Sequence, residues 1–137
     1  PKSGDEINNI IFEQNYGWPI ASYGESYFDE GLRYKKDHAS YSFKEPVFSF
    51  LPAIGISEII KIPDNFTPFW KNNFILSSLN ASSLYRIKFN KNLDKIILYE
   101  KIYIGERIRD LKYSKKFKTI FLALESEGNL GILNLKD

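Results

Sequence analysis

The feature that most constrains this chain is a series of short apolar runs that recurs from one end to the other. Ile7, Ile10, Ile11 and Phe12 form the first, and Val47, Phe48, Phe50 and Leu51 the second. Ile54, Ile56, Ile59, Ile60 and Ile62 follow, then Phe74 to Leu79, Leu84 to Phe89 and Ile96 to Ile104. Ile108 with Leu111, Ile120 to Leu124 and Leu130 to Leu135 complete the series. The runs are rich in β-branched and aromatic side chains, which suit a pleated, half-buried surface. No segment keeps an i, i+3, i+4, i+7 stripe over three turns, so the periodicity predicts strands and not helices.

The separators carry turn chemistry. Asn15 to Pro19 reads N-Y-G-W-P, Pro63-Asp64-Asn65 and Phe89 to Asn92 are polar turns, and Ser126-Glu127-Gly128-Asn129 sits where a hairpin turn would. Residues 28–45 break the pattern. They are polar and aromatic and read as a long loop, the kind of segment that often carries function. His38 falls there, with no pattern to assign it a role. The cluster Lys112, Lys115, Lys116 and Lys118 reads as a solvated hairpin tip. About eight short strands joined by tight turns suit an all-β sandwich, barrel or set of propeller blades. Composition does not choose among them. Residues 54–104, and 107–135 with a partner strand, each have the size of a four-stranded blade.

At 137 residues the chain fits one ordinary domain, and its 43% hydrophobic content supplies a core. A net charge of +2, evenly scattered, argues against nucleic acid or a membrane surface as partner. With no Cys there is no disulfide framework and no thiolate metal site. No stretch reaches the ~18 apolar residues of a membrane span, and no basic-then-apolar leader opens the sequence. It also lacks Met, so the expectation is that an N-terminal part has been removed.

The motifs carry a resemblance. Residues 1–19, P-K-S-G-D-E-I-N-N-I-I-F-E-Q-N-Y-G-W-P, are similar to the G-P-x-G-G-D-E-I-N and N-Y-G-W-P runs of soluble aldose dehydrogenases that depend on pyrroloquinoline quinone (PQQ). The likeness continues in Ser22-Tyr23-Gly24, in Tyr27, in Glu45-Pro46-Val47-Phe48 and in Phe69-Trp70 to Leu79. It ends at Arg107-Ile108-Arg109-Asp110, which resembles the family's R-I-R-D. The resemblance implies an all-β, six-bladed β-propeller of antiparallel four-stranded blades that oxidises aldose sugars with PQQ and calcium. The chain would be a single partial propeller domain, 1–137, holding the last two blades and part of a third. Further implications are a periplasmic or secreted protein and a catalytic His upstream of this sequence, which His38 does not match. A fragment of that kind would be inactive alone, and its exposed blade flanks would favour self-association, with a trimer able to close a six-bladed ring.

The same resemblance nominates site residues. Glu6, through its carboxylate, and Tyr16, through its main-chain carbonyl, match a calcium site. Pro1 matches a residue whose carbonyl helps bind the cofactor's calcium. Oxygen donors suit this hard cation, although Asp5-Glu6 is equally readable as a solvated strand end. Arg107 and Arg109 are two apart on a predicted strand and so share one face. The chain has four Arg in all, and guanidinium pairs grip carboxylates such as the three of PQQ. The alternative is a surface pair neutralised by Glu106 and Asp110. Ser78-Leu79-Asn80 aligns with a cofactor-contacting tripeptide that in the family ends in Lys. Asn80 supplies no charge, which predicts weaker quinone binding and leaves open a non-enzymatic propeller module that has lost the cofactor. Tyr27 matches a cofactor-contacting Tyr, and Trp18, Tyr23 and Phe28 could extend it into an aromatic wall for a planar ring, or simply pack blade edges.

Overall fold

The computed structural model describes residues 2–27 and 33–134. Their regular structure is nine β-strands and two three-residue 3₁₀ turns, Ala39–Tyr41 and Pro68–Trp70, with no α-helix among the described residues. Every strand ladder is antiparallel. The all-β expectation therefore holds. The chain divides into two compact units, one of residues 1–54 with 91–95, the other of residues 55–90 with 96–137.

The second unit carries the blade-like sheets. Strands β3 (Ile56–Lys61), β4 (Phe74–Ser78), β5 (Ser83–Phe89) and β6 (Ile96–Tyr103) form a four-stranded meander. Strands β7 (Ile108–Ser114), β8 (Thr119–Leu124) and β9 (Leu130–Leu133) form a three-stranded one. Alternation along β8 turns Ile120 and Leu122 inward, where they meet Ile62, Phe66, Ile75, Leu84, Ile108 and Leu111 in one core cluster. The turns fall where the polar separators predict. At the β8–β9 corner, Gly128 takes a left-handed φ of +67° and its N–H donates to the Glu125 carbonyl.

Two of the register shifts in this unit meet through Ser57. The β3–β4 register shifts between Ile56 and Glu58, and the β7–β8 register shifts between Ile108 and Asp110. A bulge re-aims a side chain. Here the Ser57 hydroxyl leaves the β3 ladder and donates to the Ile108 carbonyl at 2.6 Å, while lying 2.8 Å from the Ser77 hydroxyl. Ser57 thus pins the β7 backbone at the residue between Arg107 and Arg109.

The first unit has little regular structure. Strands β1 (Asp5–Ile7) and β2 (Phe48–Phe50) pair as a short ribbon, and the Asp5 carboxylate accepts the Ile54 N–H. The apolar run Ile10-Ile11-Phe12 is not a strand and is exposed. The reason is local. The Tyr16 hydroxyl donates to the Asn9 carbonyl and accepts the Ile11 N–H, so a closed loop replaces a ladder. Residues 33–45 have no strand, as the loop expectation requires, and the Glu45 carboxylate organises them.

Candidate functional site

The site residues nominated from sequence fall in both units. In the first, Glu6 lies on β1 opposite Ser49 of β2, so the two side chains share one side of the ribbon. The Asn8 amide donates to Glu6 Oε2 at 3.3 Å. Asn8 Oδ1 and Ser49 Oγ are buried with no hydrogen-bond partner. Oxygen atoms of this kind beside a carboxylate suit a hard cation. Among the described residues no three His, Cys, Asp or Glu side chains converge on one point, so such an ion would lean on Glu6, neutral oxygens and water. Pro1 and Phe28 lie outside the described residues.

His38 is the residue that sequence reasoning passed over. It is fully buried, not a free loop side chain. Its Nε2 lies 3.9 Å from Glu6 Oε1 and its Nδ1 lies 3.5 Å from Glu45 Oε2. Tyr23 packs on the ring with centroids 5.1 Å apart. Gly17 closes the opposite approach, since a Cβ there would stand 3.0 Å from His38 Cδ2. The Tyr16–Gly17 peptide therefore runs beside the imidazole, which brings Tyr16 and Glu6 to the same neighbourhood. Glu45 accepts the N–H groups of His38 and Ala39 and the Tyr23 hydroxyl. The bond to Glu45 pushes the Tyr23 phenol up, because ionising it would set two anions together. Nothing in a lone His within a non-periodic loop signals this burial.

Tyr23 is thus committed to Glu45 and His38, and is not a free aromatic face. Trp18 leans on Tyr34 with centroids 5.3 Å apart, and both Trp18 and Tyr27 are exposed.

In the second unit, Ser78, Leu79 and Asn80 form the β4–β5 corner. Ser78 is fully buried, and its hydroxyl donates to the Ser83 carbonyl and accepts the Ser83 N–H. The Leu79 N–H donates to the Gly55 carbonyl at 2.7 Å. Asn80 is the exposed member of the three. Ser78 serves the turn, and the Asn80 side chain faces solvent.

Arg107 and Arg109 do act as a pair. Arg107 Nε donates to Glu125 Oε2 at 2.6 Å and Arg109 Nη2 donates to Glu125 Oε1 at 2.8 Å. One carboxylate bridges both guanidinium groups, as a ligand carboxylate would. The two guanidinium groups, Arg109 first, hold the Glu125 carboxyl below its ordinary range. The neutralising acid is Glu125, across the β7–β8 hairpin, and not Glu106 or Asp110. Pairing of Ile108 with Leu124 places residue 125 opposite residue 107, so counting register through the hairpin was the signal available in the sequence.

Comparisons with known proteins bear on these features. The family model described as glucose/sorbosone dehydrogenase matches residues 1–132. The chain is 28% identical over 132 residues to the aldose sugar dehydrogenase YliI of Escherichia coli (strain K12), covering 95% of this chain and 35% of that protein. It is 25% identical over 130 residues to an uncharacterized protein, slr1608, of Synechocystis sp. (strain ATCC 27184 / PCC 6803 / Kazusa), covering 94% of this chain and 31% of that one. Among solved structures, a glucose dehydrogenase superposes with a TM-score of 0.82 at 24% identity, over 100% of this chain and 39% of that one. The soluble aldose sugar dehydrogenase of Escherichia coli, in its apo-form, superposes with a TM-score of 0.77 at 24% identity, over 96% of this chain and 38% of that one. The chain spans about a third of the length of the curated relatives it matches.

Proposed function

The chain belongs to the glucose/sorbosone dehydrogenase family, and on that premise we propose that it is part of a PQQ-dependent sugar dehydrogenase and supplies one side of the quinone and calcium sites. The observation that carries the proposal is the Arg107–Glu125–Arg109 clasp. The Glu125 carboxylate lies between the two guanidinium groups, which supports reading them as a clamp for a carboxylate. In the complete protein these two arginines would bind and orient a carboxylate of the cofactor. Asn80, exposed at the β4–β5 corner, would offer a neutral hydrogen bond. Glu6, with Asn8 Oδ1, Ser49 Oγ and the Tyr16 carbonyl, would hold calcium. When bound, the quinone supplies the two-electron acceptor for oxidation of the sugar. Sugar oxidation of this kind belongs in the periplasm or outside the cell, and no helix among the described residues is long and apolar enough to cross a membrane.

A second reading has a specific observation behind it. Glu125 already neutralises one of the two positive charges, and Asn80 adds none, so the same blades would serve a propeller that binds without catalysis. Titration of the full-length protein with PQQ, together with dye-linked oxidation of aldoses in PQQ and calcium, separates the two. Saturable PQQ binding, at least ~10-fold weaker in the Arg107→Ala/Arg109→Ala variant, with sugar-dependent turnover, is the expected result. Absence of PQQ binding by the folded protein refutes the dehydrogenase and leaves the binding module.

A further inference from the structure

We propose that one end of the second unit docks on an anionic lipid surface, with Phe69 and Phe117 entering the headgroup layer and the lysines of the β7–β8 hairpin on its phosphates. The two loops concerned are residues 62–73, between β3 and β4, and residues 115–118, between β7 and β8. They lie at the same end, because β3 and β7 run alongside each other. Near one end Ser57 donates to the Ile108 carbonyl. At the other the Tyr113 hydroxyl donates to Asn65 Oδ1 at 3.0 Å, and Phe66 stands edge-on to the Tyr113 ring at 6.1 Å.

Each loop holds an aromatic ring out in solvent. Phe69 is 87% exposed and Phe117 is 61% exposed. Phe69 is out because its turn is built that way. Thr67 Oγ1 accepts the Phe69 N–H at 3.2 Å, and Pro68 opens the 3₁₀ turn Pro68–Trp70. Trp70 then takes the inward position, 6.0 Å from the Phe66 ring and 5.0 Å from the Arg86 guanidinium. Phe117 rides the hairpin tip, edge-on to Phe121 at 6.3 Å. Two large rings presented on ordered turns at one end of the unit mark a surface that gains by meeting something less polar than water.

The charge around the rings is positive. Residues 62–73 and 112–118 hold five lysines, Lys71, Lys112, Lys115, Lys116 and Lys118, against one acid, Asp64. Asp64 lies 4.0 Å from Lys71, whereas none of the four hairpin lysines makes an ion pair among the described residues. Charges scattered along the sequence thus become a local excess once the loops fold together, and the small net charge of the chain does not argue against this surface. Lipid fits it better than protein. Every cation on the two loops is a lysine, and protein interfaces are depleted in lysine and enriched in arginine. A long lysine stem lets the ammonium stay with the phosphates while a neighbouring ring goes deeper. Lys116 already stands over Phe117, 5.1 Å from the ring centroid. Arg107 and Arg109 lie toward the opposite end of β7, with Arg107 about 20 Å from the hairpin by strand rise, so docking leaves the clasp open. The inference does not require the quinone or turnover.

The test uses the full-length protein and two kinds of vesicle, phosphatidylcholine alone and an equal mixture of phosphatidylcholine with phosphatidylglycerol. Co-sedimentation should show binding to the mixed vesicles, little to phosphatidylcholine, and a steep loss with added salt. Lys115→Gln/Lys116→Gln/Lys118→Gln should weaken that binding on the order of 100-fold, at about 5-fold per lysine. Phe69→Ser/Phe117→Ser, which keeps the charge, should weaken it at least ~10-fold. All five side chains are exposed, so both variants should keep the fold, as far-UV circular dichroism would check. A folded protein that ignores the mixed vesicles would overturn the inference. So would binding that survives the lysine variant, which would put the contact elsewhere in the full-length protein. Vesicle binding unmoved by the phenylalanine variant, with soluble polyglutamate bound as tightly, would overturn it in favour of an acidic protein partner.

Discussion

Replacing Ser57 by Ala should weaken the second unit by about 2 kcal/mol and loosen the arginine clasp. The magnitude follows from what the hydroxyl does. It donates to the Ile108 carbonyl at 2.6 Å and lies 2.8 Å from the Ser77 hydroxyl, and both Ile108 and Ser77 are fully buried. Without it the Ile108 carbonyl loses this donor, and a buried acceptor left unsatisfied costs about 1–3 kcal/mol. Ser77 suffers less, because its hydroxyl can turn toward the Glu58 carbonyl 3.5 Å away. The coupling between the two hydroxyls, from a double-mutant cycle with Ser77→Ala, should be about 0.5–1.5 kcal/mol. Urea denaturation of the full-length protein, followed by far-UV circular dichroism, measures both. Since Ile108 separates Arg107 from Arg109, the Glu125 carboxyl should also titrate closer to its ordinary range in Ser57→Ala, as read by ¹³C NMR. A loss below about 0.5 kcal/mol, the range of an ordinary surface change, together with an unmoved Glu125, would refute the claim that this hydroxyl pins β7.

Other outcomes are expected. Ile120→Ala should cost about 2–5 kcal/mol, because Ile120 is fully buried in the cluster between the two sheets; denaturant midpoints check it. Gly4→Ala should destabilise the first unit by about 3 kcal/mol or more, since its φ of +83° is left-handed and a Cβ would stand 2.2 Å from the Gly24 nitrogen; amide hydrogen exchange at β1 and β2 would report the loss. Glu125→Gln should tighten binding of PQQ or another polycarboxylate several-fold by freeing the clasp, measured by calorimetry. The clasp's own contribution to stability runs with pH in one direction. The folded Glu125 carboxyl is lowered from 4.5, so the contribution is present above that value and is lost as pH falls through the lowered one. Acid titration of wild type against Glu125→Gln should show the difference only on that acidic limb.

The sequence by itself determined the strands. From β2 to β9 each strand overlaps an apolar run, and the turns fall on the polar separators, because strand formation and turn chemistry are local properties of neighbouring residues. It also placed the arginines on one face, since a two-residue spacing is enough for that. Tertiary structure decided the rest. The run at Ile10 to Phe12 stays out of any strand because the Tyr16 hydroxyl closes the loop from five residues away. The partner of Arg107 and Arg109 is Glu125, chosen by hairpin register and a bulge and not by proximity in sequence. His38 gains its two carboxylates only because one loop is folded against one strand of its own unit. Burial, register and bulge position are set by contacts between residues far apart along the chain, and no local pattern encodes them.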